Sequence, residues 1–321
     1  PLYILKYSRD EKFFKKNFPC SLRPQGKEIV RTWLYYTLLK SYFLTKKPAF
    51  KDVWINYHIV DEKGKKMSKS EGNVINPQEV LNKYGAEPFR LWATIEGNLE
   101  TTDFRCSFER IDGAGKTINK LWNVARFISL FKKPKKPKKL LELDKWIISE
   151  LNELIQETKK QYEKYDFHNP STRIKHFLWE GFASHYIELV KTRAYNQNKN
   201  FTKEEQDSAL YALYYSLENI LRLWAPVIPL ITYKIYKVLN DKNIHNEQFP
   251  IPEKILTKIK TQEIIELNSA IWKVKKDKGL SLKAEIKTIT IPESLKPIEK
   301  DIVSTHNIKE LNFGTKFSII L

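Results

Sequence analysis

Three lysines and two serines lie close together in the run Lys65–Ser70, which reads KKMSKS. A glycine stands on each side of this run, at Gly64 and Gly72. Ammonium and hydroxyl groups on a short loop donate several hydrogen bonds and balance negative charge, which is what a bound polyphosphate requires. The run is therefore a candidate polyphosphate-binding loop, with an ordinary solvated lysine-rich turn as the alternative.

The residues around the loop predict a strand before it and a helix after it. The stretch 53–60 is rich in β-branched and aromatic residues, which favours a strand. After the loop, Asn76 is suited to cap a helix that starts at Pro77, and Glu79 is suited to complete a capping box. The loop is thus expected between the end of a strand and the start of a helix.

The first hundred residues indicate an α/β architecture. The stretch 27–44 is predicted to be a helix, and it is apolar on nearly every side, so we expect several neighbours to cover it. Pro1–Leu5 is expected to be the end of a strand. In α/β folds, ligands bind beyond the carboxyl ends of parallel strands, which is where the candidate loop is expected to lie.

The later part of the chain predicts helices and then a small mixed appendix. Apolar residues recur at helical spacing in four stretches, which predicts an antiparallel bundle: 146–162, 171–195, 204–225 and 231–239. A linker rich in lysine and proline at 132–139 precedes them, as a solvated connector or, alternatively, a contact to RNA. Beyond residue 251, the sequence predicts a helix at 261–276, a strand at 284–291 and a last strand near Lys316–Leu321.

Composition limits the class of protein and its partners. The 321 residues are 29% charged and 41% hydrophobic, which excludes a disordered chain. The formal net charge of +18 favours a polyanionic partner, with a merely lysine-rich surface as the alternative. No apolar run approaches the ~18 residues that span a bilayer, so no membrane partner is expected. Cys20 and Cys106 form no C-x-x-C pair, which predicts neither a disulfide nor a protein-bound metal and fits a reducing cytoplasm.

The loop and the residues after it resemble the KMSKS signature of class I aminoacyl-tRNA synthetases. Lys66–Ser70 match the five letters in full, and 72–77 resemble the usual sequel, GNVxxP. Further phrases resemble the archaeal-type valine enzymes of this class: RPQGKEIVRTW at 23–33, KYGAEPFRLW at 83–92, NKLWNVARF at 119–127 and LWAPVIPLIT at 223–232. Asp103–Arg105 resembles the family's D-x-R-F phrase.

The resemblance implies three domains. These are the second half of a Rossmann-type class I catalytic domain with its stem-contact segment (1–105), an antiparallel helical anticodon-binding domain (106–250) and a small C-terminal α/β appendix (251–321). It implies activation of valine with ATP, which enters as its Mg²⁺ complex, and transfer of the valyl group to tRNA(Val).

The resemblance also implies roles for particular residues. The ATP-binding residues would be Lys66, Met67, Ser68, Lys69 and Ser70, with Lys69 and then Lys66 as the catalytic ones. Trp33 would wall the amino-acid pocket, with a core residue as the alternative, and Glu28 would lie on the adenylate side near the ribose. Lys120 and Arg126 are candidates for contact with tRNA, whereas helix packing is favoured for Trp122 and Phe127.

Two residues depart from the family's phrases: Lys27 stands where the family usually has His, and Tyr57 where it usually has Gly. A glycine lets the adenine lie against the backbone, whereas a tyrosine side chain can crowd it. We therefore expect either a displaced strand or weaker ATP binding.

None of the six histidines forms the H-x-G-H signature that class I enzymes carry earlier in the chain. The sequence also begins at Pro1 rather than at methionine, so we expect a piece of a longer chain or a split subunit that needs an N-terminal half. Without that half, the chain is not expected to activate valine. The alternatives are a portion of an isoleucine or leucine enzyme, or a non-catalytic tRNA-binding remnant.

Overall fold

The computed structural model describes residues 1–98, 100–315 and 317–321. They fall into two compact units, the first made of Pro1–Gly85 and Trp92–Asp112 and the second of Ala86–Leu91 and Gly113–Leu321. The architecture is rich in helices, with three small sheets among the described residues. Within those ranges, every helix is too short or too polar to pass through a lipid bilayer. The division into three domains stays a prediction.

Two parallel strands organise the first unit, β1 (Cys20–Gly26) and β2 (Phe50–Asn56). Their register pairs Cys20 with Phe50 and Gly26 with Asn56, so the two carboxyl ends lie side by side. Other elements precede or join them: α1 (Glu11–Asn17), a 3₁₀ turn (Lys27–Ile29), a π-helical segment (Val30–Leu34) and α2 (Tyr35–Thr45). The prediction of a strand at the start of the chain is wrong, because Pro1–Leu5 forms a turn in which the Leu5 N–H donates to the Pro1 carbonyl.

The prediction that neighbours cover the helix at 27–44 is wrong for the described chain. Leu34 is buried and Leu38 packs against the same core, but Tyr35, Tyr42 and Phe43 are 54%, 55% and 66% exposed. The reason is that the core beneath α2 comes from a sheet of only two strands, which covers one side of the helix. The aromatic side of α2 therefore faces outward.

The single strand predicted at 53–60 is two strands. β2 ends at Asn56, and β3 (Ile59–Val60) pairs in parallel with β4 (Phe104–Arg105) in a separate sheet. Asp103 accounts for the break, because its Oδ1 accepts the backbone N–H of His58 at 2.6 Å. The chain therefore changes sheets at the position that the sequence presents as the middle of a strand.

The helix after the loop begins as predicted. Asn76 caps α3 (Pro77–Tyr84), and its side chain accepts the N–H of Gln78 at 3.0 Å, not that of Glu79 as a capping box requires. α4 (Ala86–Ile95) follows directly. The strand–loop–helix order around the candidate loop is thus confirmed.

The four helical stretches predicted in the second half are confirmed, with shifts at their ends. The helices of this region are α5 (Phe108–Ile128), α6 (Glu142–Tyr162), α7 (His168–His176), α8 (Ile187–Tyr195), α9 (Lys203–Trp224) and α10 (Pro229–Asn240). A π-helical segment, Phe177–Tyr186, joins α7 to α8. The linker at 132–139 has no regular structure, but Lys133 pairs with Glu218 and Lys136 with Glu253, so part of it is tied down.

The last part of the chain contains both helices and strands. Its elements are α11 (Thr261–Asp277), β5 (Ile286–Ile291), α12 (Glu299–His306), β6 (Ile308–Phe313) and β7 (Ser318–Ile320). β5 is the central strand, parallel to β6 and antiparallel to β7. The sequence did not predict β6, and Lys316, where the last strand was predicted to begin, lies outside the described residues.

Candidate active site

Asp61 closes the hairpin that carries the lysine loop. Its backbone N–H donates to the Lys65 carbonyl at 2.9 Å, and its Oδ1 accepts the Lys65 N–H at 2.7 Å. Val60 and Lys66 then form an isolated antiparallel bridge. Gly64 has a φ of +83°, a conformation that side chains with a Cβ rarely adopt. The backbone and one carboxylate thus fix the hairpin, and the lysine side chains are not needed for it.

Asn73 ties the far side of the loop to this hairpin. Its Nδ2 donates to Oδ2 of Asp61 at 2.8 Å and to the Lys66 carbonyl at 3.2 Å, and its Oδ1 accepts the Ser68 N–H at 2.9 Å. The bond from Asn73, together with the Lys65 N–H, lowers the pKa of Asp61. Asp61 therefore stays ionised at neutral pH and keeps accepting both bonds.

Lys66 and Lys69 present their side chains to solvent on this loop. Over the part of the chain that the structure describes, neither ammonium group forms an ion pair. Between them, the hydroxyls of Ser68 and Ser70 lie 3.0 Å apart, and the Met67 sulfur accepts the N–H of Ile75 at 3.4 Å. The loop therefore combines a fixed backbone with two cations that are free to bind an anion.

A second cluster of charged and aromatic residues lies where β1 and β2 end. Lys27 Nζ is 3.1 Å from Oδ1 of Asp103 and 3.9 Å from the ring centroid of Tyr57. His58 Nε2 is 3.0 Å from Oε2 of Glu28. The N–H of His58, and then Lys27, lower the pKa of Asp103. This cluster of five is named the strand-end cluster below; only Ile59 and Val60 separate it in sequence from the hairpin.

Gly26 explains how Glu28 joins the strand-end cluster. A Cβ added to Gly26 would lie 2.6 Å from Oε1 of Glu28. The absence of a side chain at the end of β1 therefore leaves space for the Glu28 carboxylate to fold back over the strand. Such a carboxylate is able to accept hydrogen bonds from a sugar hydroxyl.

Trp33 is not a core residue, because it is 38% exposed. The guanidinium carbon of Arg23 lies 3.9 Å from the Trp33 ring centroid, and the ring stacks on Phe50 with centroids 6.3 Å apart. Its role as a pocket wall stays a prediction. Sequence reasoning missed Arg23, although it belongs to the phrase that also contains Trp33.

Lys120 and Arg126 lie in the second unit, apart from the residues above in the chain. Lys120 Nζ is 5.1 Å from the ring centroid of Trp179. Arg126 is exposed and lines a groove of about 130 Å³ between α5 and α10. The packing predicted for Phe127 is confirmed by its contact with Phe131, but that predicted for Trp122 is wrong, since Trp122 lines this groove and is 44% exposed.

Sequence reasoning did not find His58 and Asp103 as members of a site. Asp103 did stand in a recognised phrase, but its contacts depend on the pairing of two strands of two residues each. Among the described residues, no group of three or more His, Cys, Asp or Glu side chains is arranged to hold a metal ion.

Two protein-family models match the chain. That of the class I tRNA synthetases for I, L, M and V covers residues 2–105, and that of the anticodon-binding domain of tRNA ligases covers residues 144–291. The chain therefore belongs to the class I tRNA synthetases.

The relatives within that class are valine–tRNA ligases. The chain is 36% identical to the one from Aeropyrum pernix over 95% of its length, 35% identical to that of Pyrobaculum aerophilum over 98%, and 38% identical to that of Nanoarchaeum equitans over 95%. It spans only 38%, 40% and 40% of these proteins. The chain thus corresponds to a part of a valine–tRNA ligase.

A solved structure supports the fold. The LeuRS of Agrobacterium radiobacter K84, crystallised as a ternary complex with tRNA and LeuAMS, matches 100% of the chain with a TM-score of 0.60. The match covers 42% of that protein at 15% sequence identity. At that identity, the likeness shows a shared class I fold and nothing about substrate.

Proposed function

We propose that the chain supplies the pyrophosphate-binding loop and the tRNA-binding helices of a valine–tRNA ligase. The activity is ATP-dependent formation of valyl-adenylate and transfer of the valyl group to tRNA(Val). One observation carries the proposal: Lys66 and Lys69 are exposed and unpaired on a loop that Asp61 and Asn73 fix, in a chain whose relatives are valine–tRNA ligases.

The chemistry explains why a fixed loop with two free cations suits this reaction. The valine carboxylate attacks the α-phosphorus of ATP, a new P–O bond forms, and the bond to the β-phosphate oxygen breaks. Negative charge moves onto the departing pyrophosphate. Lys69 and Lys66 act on that charge as it develops, so they stabilise the transition state more than bound ATP. Ser68 and Ser70 donate hydrogen bonds to phosphate oxygens, Met67 supports the loop backbone, and Mg²⁺ enters with ATP as part of the substrate.

The same proposal assigns the rest of the chain. Residues 1–105 form the second half of a Rossmann-type catalytic domain, 106–250 the anticodon-binding bundle and 251–321 the appendix. Glu28 lies on the ribose side of the adenylate, and its fold over Gly26 at a strand end supports this. Trp33, half exposed beside Arg23, walls the amino-acid pocket. Lys120 and the exposed Arg126 contact tRNA.

The rest of the enzyme completes the site, either in the same longer chain or as a separate subunit. Two observations support an N-terminal half as partner. The chain spans only 38% of the valine–tRNA ligase of Aeropyrum pernix. The aromatic side of α2 is exposed, with Phe43 at 66%, as expected of a face that another part of the enzyme covers.

The test is amino-acid-dependent exchange of pyrophosphate into ATP, after co-expression of the chain with the segment encoded upstream. We expect exchange with valine, and none with isoleucine or leucine at the same concentration. Exchange with isoleucine or leucine instead would reassign the specificity. No exchange with any of the three, while the chain still binds tRNA, would contradict catalysis and favour a tRNA-binding remnant.

A further inference from the structure

Lys27 and Tyr57, the two residues that depart from the phrases the chain resembles, contact each other. The Lys27 ammonium lies 3.9 Å from the centre of the Tyr57 ring. The register of β1 and β2 pairs Gly26 with Asn56, so residues 27 and 57 are the first residues beyond two paired strand ends. The sheet therefore brings the two departures together, which indicates that they act as a pair.

Asp103 fixes both members of this pair. Its Oδ1 lies 3.1 Å from the Lys27 ammonium and accepts the N–H of His58 at 2.6 Å. Because His58 directly follows Tyr57, one carboxylate holds the backbone beside the ring and the cation on the ring. A cation that has an ion pair and lies on a ring face restricts the ring far more than solvent would.

The position of Tyr57 makes this restriction matter. In parallel sheets, ligands bind beyond the carboxyl ends of the strands, and an unrestrained tyrosine at such an end is able to rotate into that space. β2 pairs regularly with β1 as far as Asn56, so a displaced strand, one of the two outcomes expected from the sequence, is not what makes room for the ring.

We propose that Lys27 is a positioning residue that holds the Tyr57 ring against the end of β1 and so keeps the nucleotide site beyond β2 open. The chain thereby tolerates a tyrosine where bare backbone would otherwise face the adenine. The inference rests on the proposed function, since it takes ATP as the ligand.

The kinetic test uses pyrophosphate exchange by the co-expressed enzyme. Lys27→Met removes the charge and keeps the length of the side chain, so the freed ring raises KM for ATP by roughly tenfold, with kcat and KM for valine unchanged. Lys27→Arg keeps the cation and the wild-type KM. Tyr57→Gly, and the double variant Lys27→Met/Tyr57→Gly, both return the wild-type KM because no ring is left to restrain.

Lys83→Met is the matched control, because the Lys83 ammonium lies 5.0 Å from the Tyr84 ring in α3 and has no proposed contact with ATP. It should leave KM for ATP unchanged. The inference is overturned if Lys27→Met also leaves this KM unchanged. It is equally overturned if Lys27→Met raises KM by the same factor in the Tyr57→Gly background, since the lysine would then act on the nucleotide directly.

A second measurement separates this inference from the proposed function. Thermal unfolding of the 321-residue chain is followed for Lys27→Met, Tyr57→Leu and the double variant, without ATP or any partner. Contact between the two side chains predicts that the Tm decrease of the double variant is smaller than the sum of the two single decreases. Additive decreases would overturn the pairing even if the wild-type enzyme activates valine, whereas a wild-type enzyme without exchange would overturn the proposed function alone.

Discussion

Asn73 is the residue on which the order of the lysine loop depends most. Its amide makes three hydrogen bonds, to Asp61, to the Lys66 carbonyl and from the Ser68 N–H. Lys66 and Lys69 contribute no contact of this kind within the described chain. The residues that fix the loop and those that bind the substrate are therefore different, so each group is open to a separate test.

Replacing Asn73 with Ala should loosen the loop without removing a cation. The Ser68 N–H loses its acceptor, and a hydrogen bond contributes about 1 kcal/mol, so its hydrogen exchange should speed up by roughly fivefold to tenfold. Exchange mass spectrometry of the peptide that contains Ser68 measures this. Asn82→Ala is the control, because Asn82 bonds to Gln78 on the surface of α3. Unchanged exchange in Asn73→Ala would show that the loop is fixed by other contacts.

The sequence was sufficient to find the loop but not the strand-end cluster. Lys66–Ser70 stand in one run, and the turn and capping residues on both sides define where they lie. The cluster joins residues from three separate stretches: Lys27 and Glu28, then Tyr57 and His58, then Asp103. Only the register of β1 with β2 and the short pairing of β3 with β4 bring these together, and neither is readable from local patterns.

Among the elements, helices were predicted better than strands for a physical reason. A helix of 22 residues such as α9 shows its apolar stripe over several turns, and Thr202 caps it with a full capping box. β3 and β4 contain two residues each, too few for any alternation to appear. The helix at 27–44 has the opposite problem: its apolar composition shows that a covering element exists, but not that it lies outside this chain.

A buried polar network links α11 and α12 to the helical segment that joins α7 to α8. His306 Nε2 lies 2.9 Å from Oδ1 of Asn268, and Nδ2 of Asn268 lies 3.1 Å from Nδ1 of His185. Lys275 donates to the carbonyls of Leu282 and His306. Burial, and then the charge of Lys275, lower the pKa of His306 to about 4. The network is therefore built around a neutral His306.

This network predicts a loss of stability in weak acid. Because the pKa of His306 is about 4 when folded and 6.5 as the reference value, the unfolded chain binds the proton more readily between these values. The contribution of His306 is complete above pH 6.5 and decreases as the pH falls toward 4, by about 3 kcal/mol in total. The free energy of unfolding, measured by urea denaturation from pH 7 to 4.5, should show this decrease.

His306→Gln supplies the comparison, since glutamine keeps a hydrogen-bonding amide and does not titrate. Burial raises the pKa of Asp301 to about 6, which has the opposite effect on stability, but this effect is present in both proteins and cancels in the difference. The variant should lose less stability than the wild type over this pH range. Equal losses would mean that His306 is not held neutral.

For the molecule as a whole, charge and size indicate a subunit that works with two larger partners. The net charge of +18 is suited to a polyanion such as tRNA. The exposed aromatic side of α2, and a length that is 38% of the Aeropyrum pernix relative, indicate a protein partner as well. Composition predicted the first partner, whereas the second needed a motif that is missing from the sequence.

Binding of tRNA by the chain should depend steeply on salt. Each phosphate neutralised by a lysine or arginine releases counterions, so a protein with six or more such contacts loses roughly 10³-fold in affinity between 50 and 200 mM salt. Fluorescence anisotropy with labelled tRNA(Val) over this range gives the slope of log Kd against log salt. A slope near zero would contradict an interface made of basic residues and phosphates.

The central claim is that Lys69 acts on the departing pyrophosphate. Single-turnover formation of valyl-adenylate by the co-expressed enzyme tests it most directly, with Lys69→Ala compared to the wild type. Lys63→Ala is the control, because Lys63 lies on the turn of the same hairpin and has no proposed role. Loss of a preorganised electrostatic group predicts a rate lower by roughly 10²-fold or more for Lys69→Ala, with the control unchanged. An unchanged rate in Lys69→Ala would contradict the role proposed for the loop.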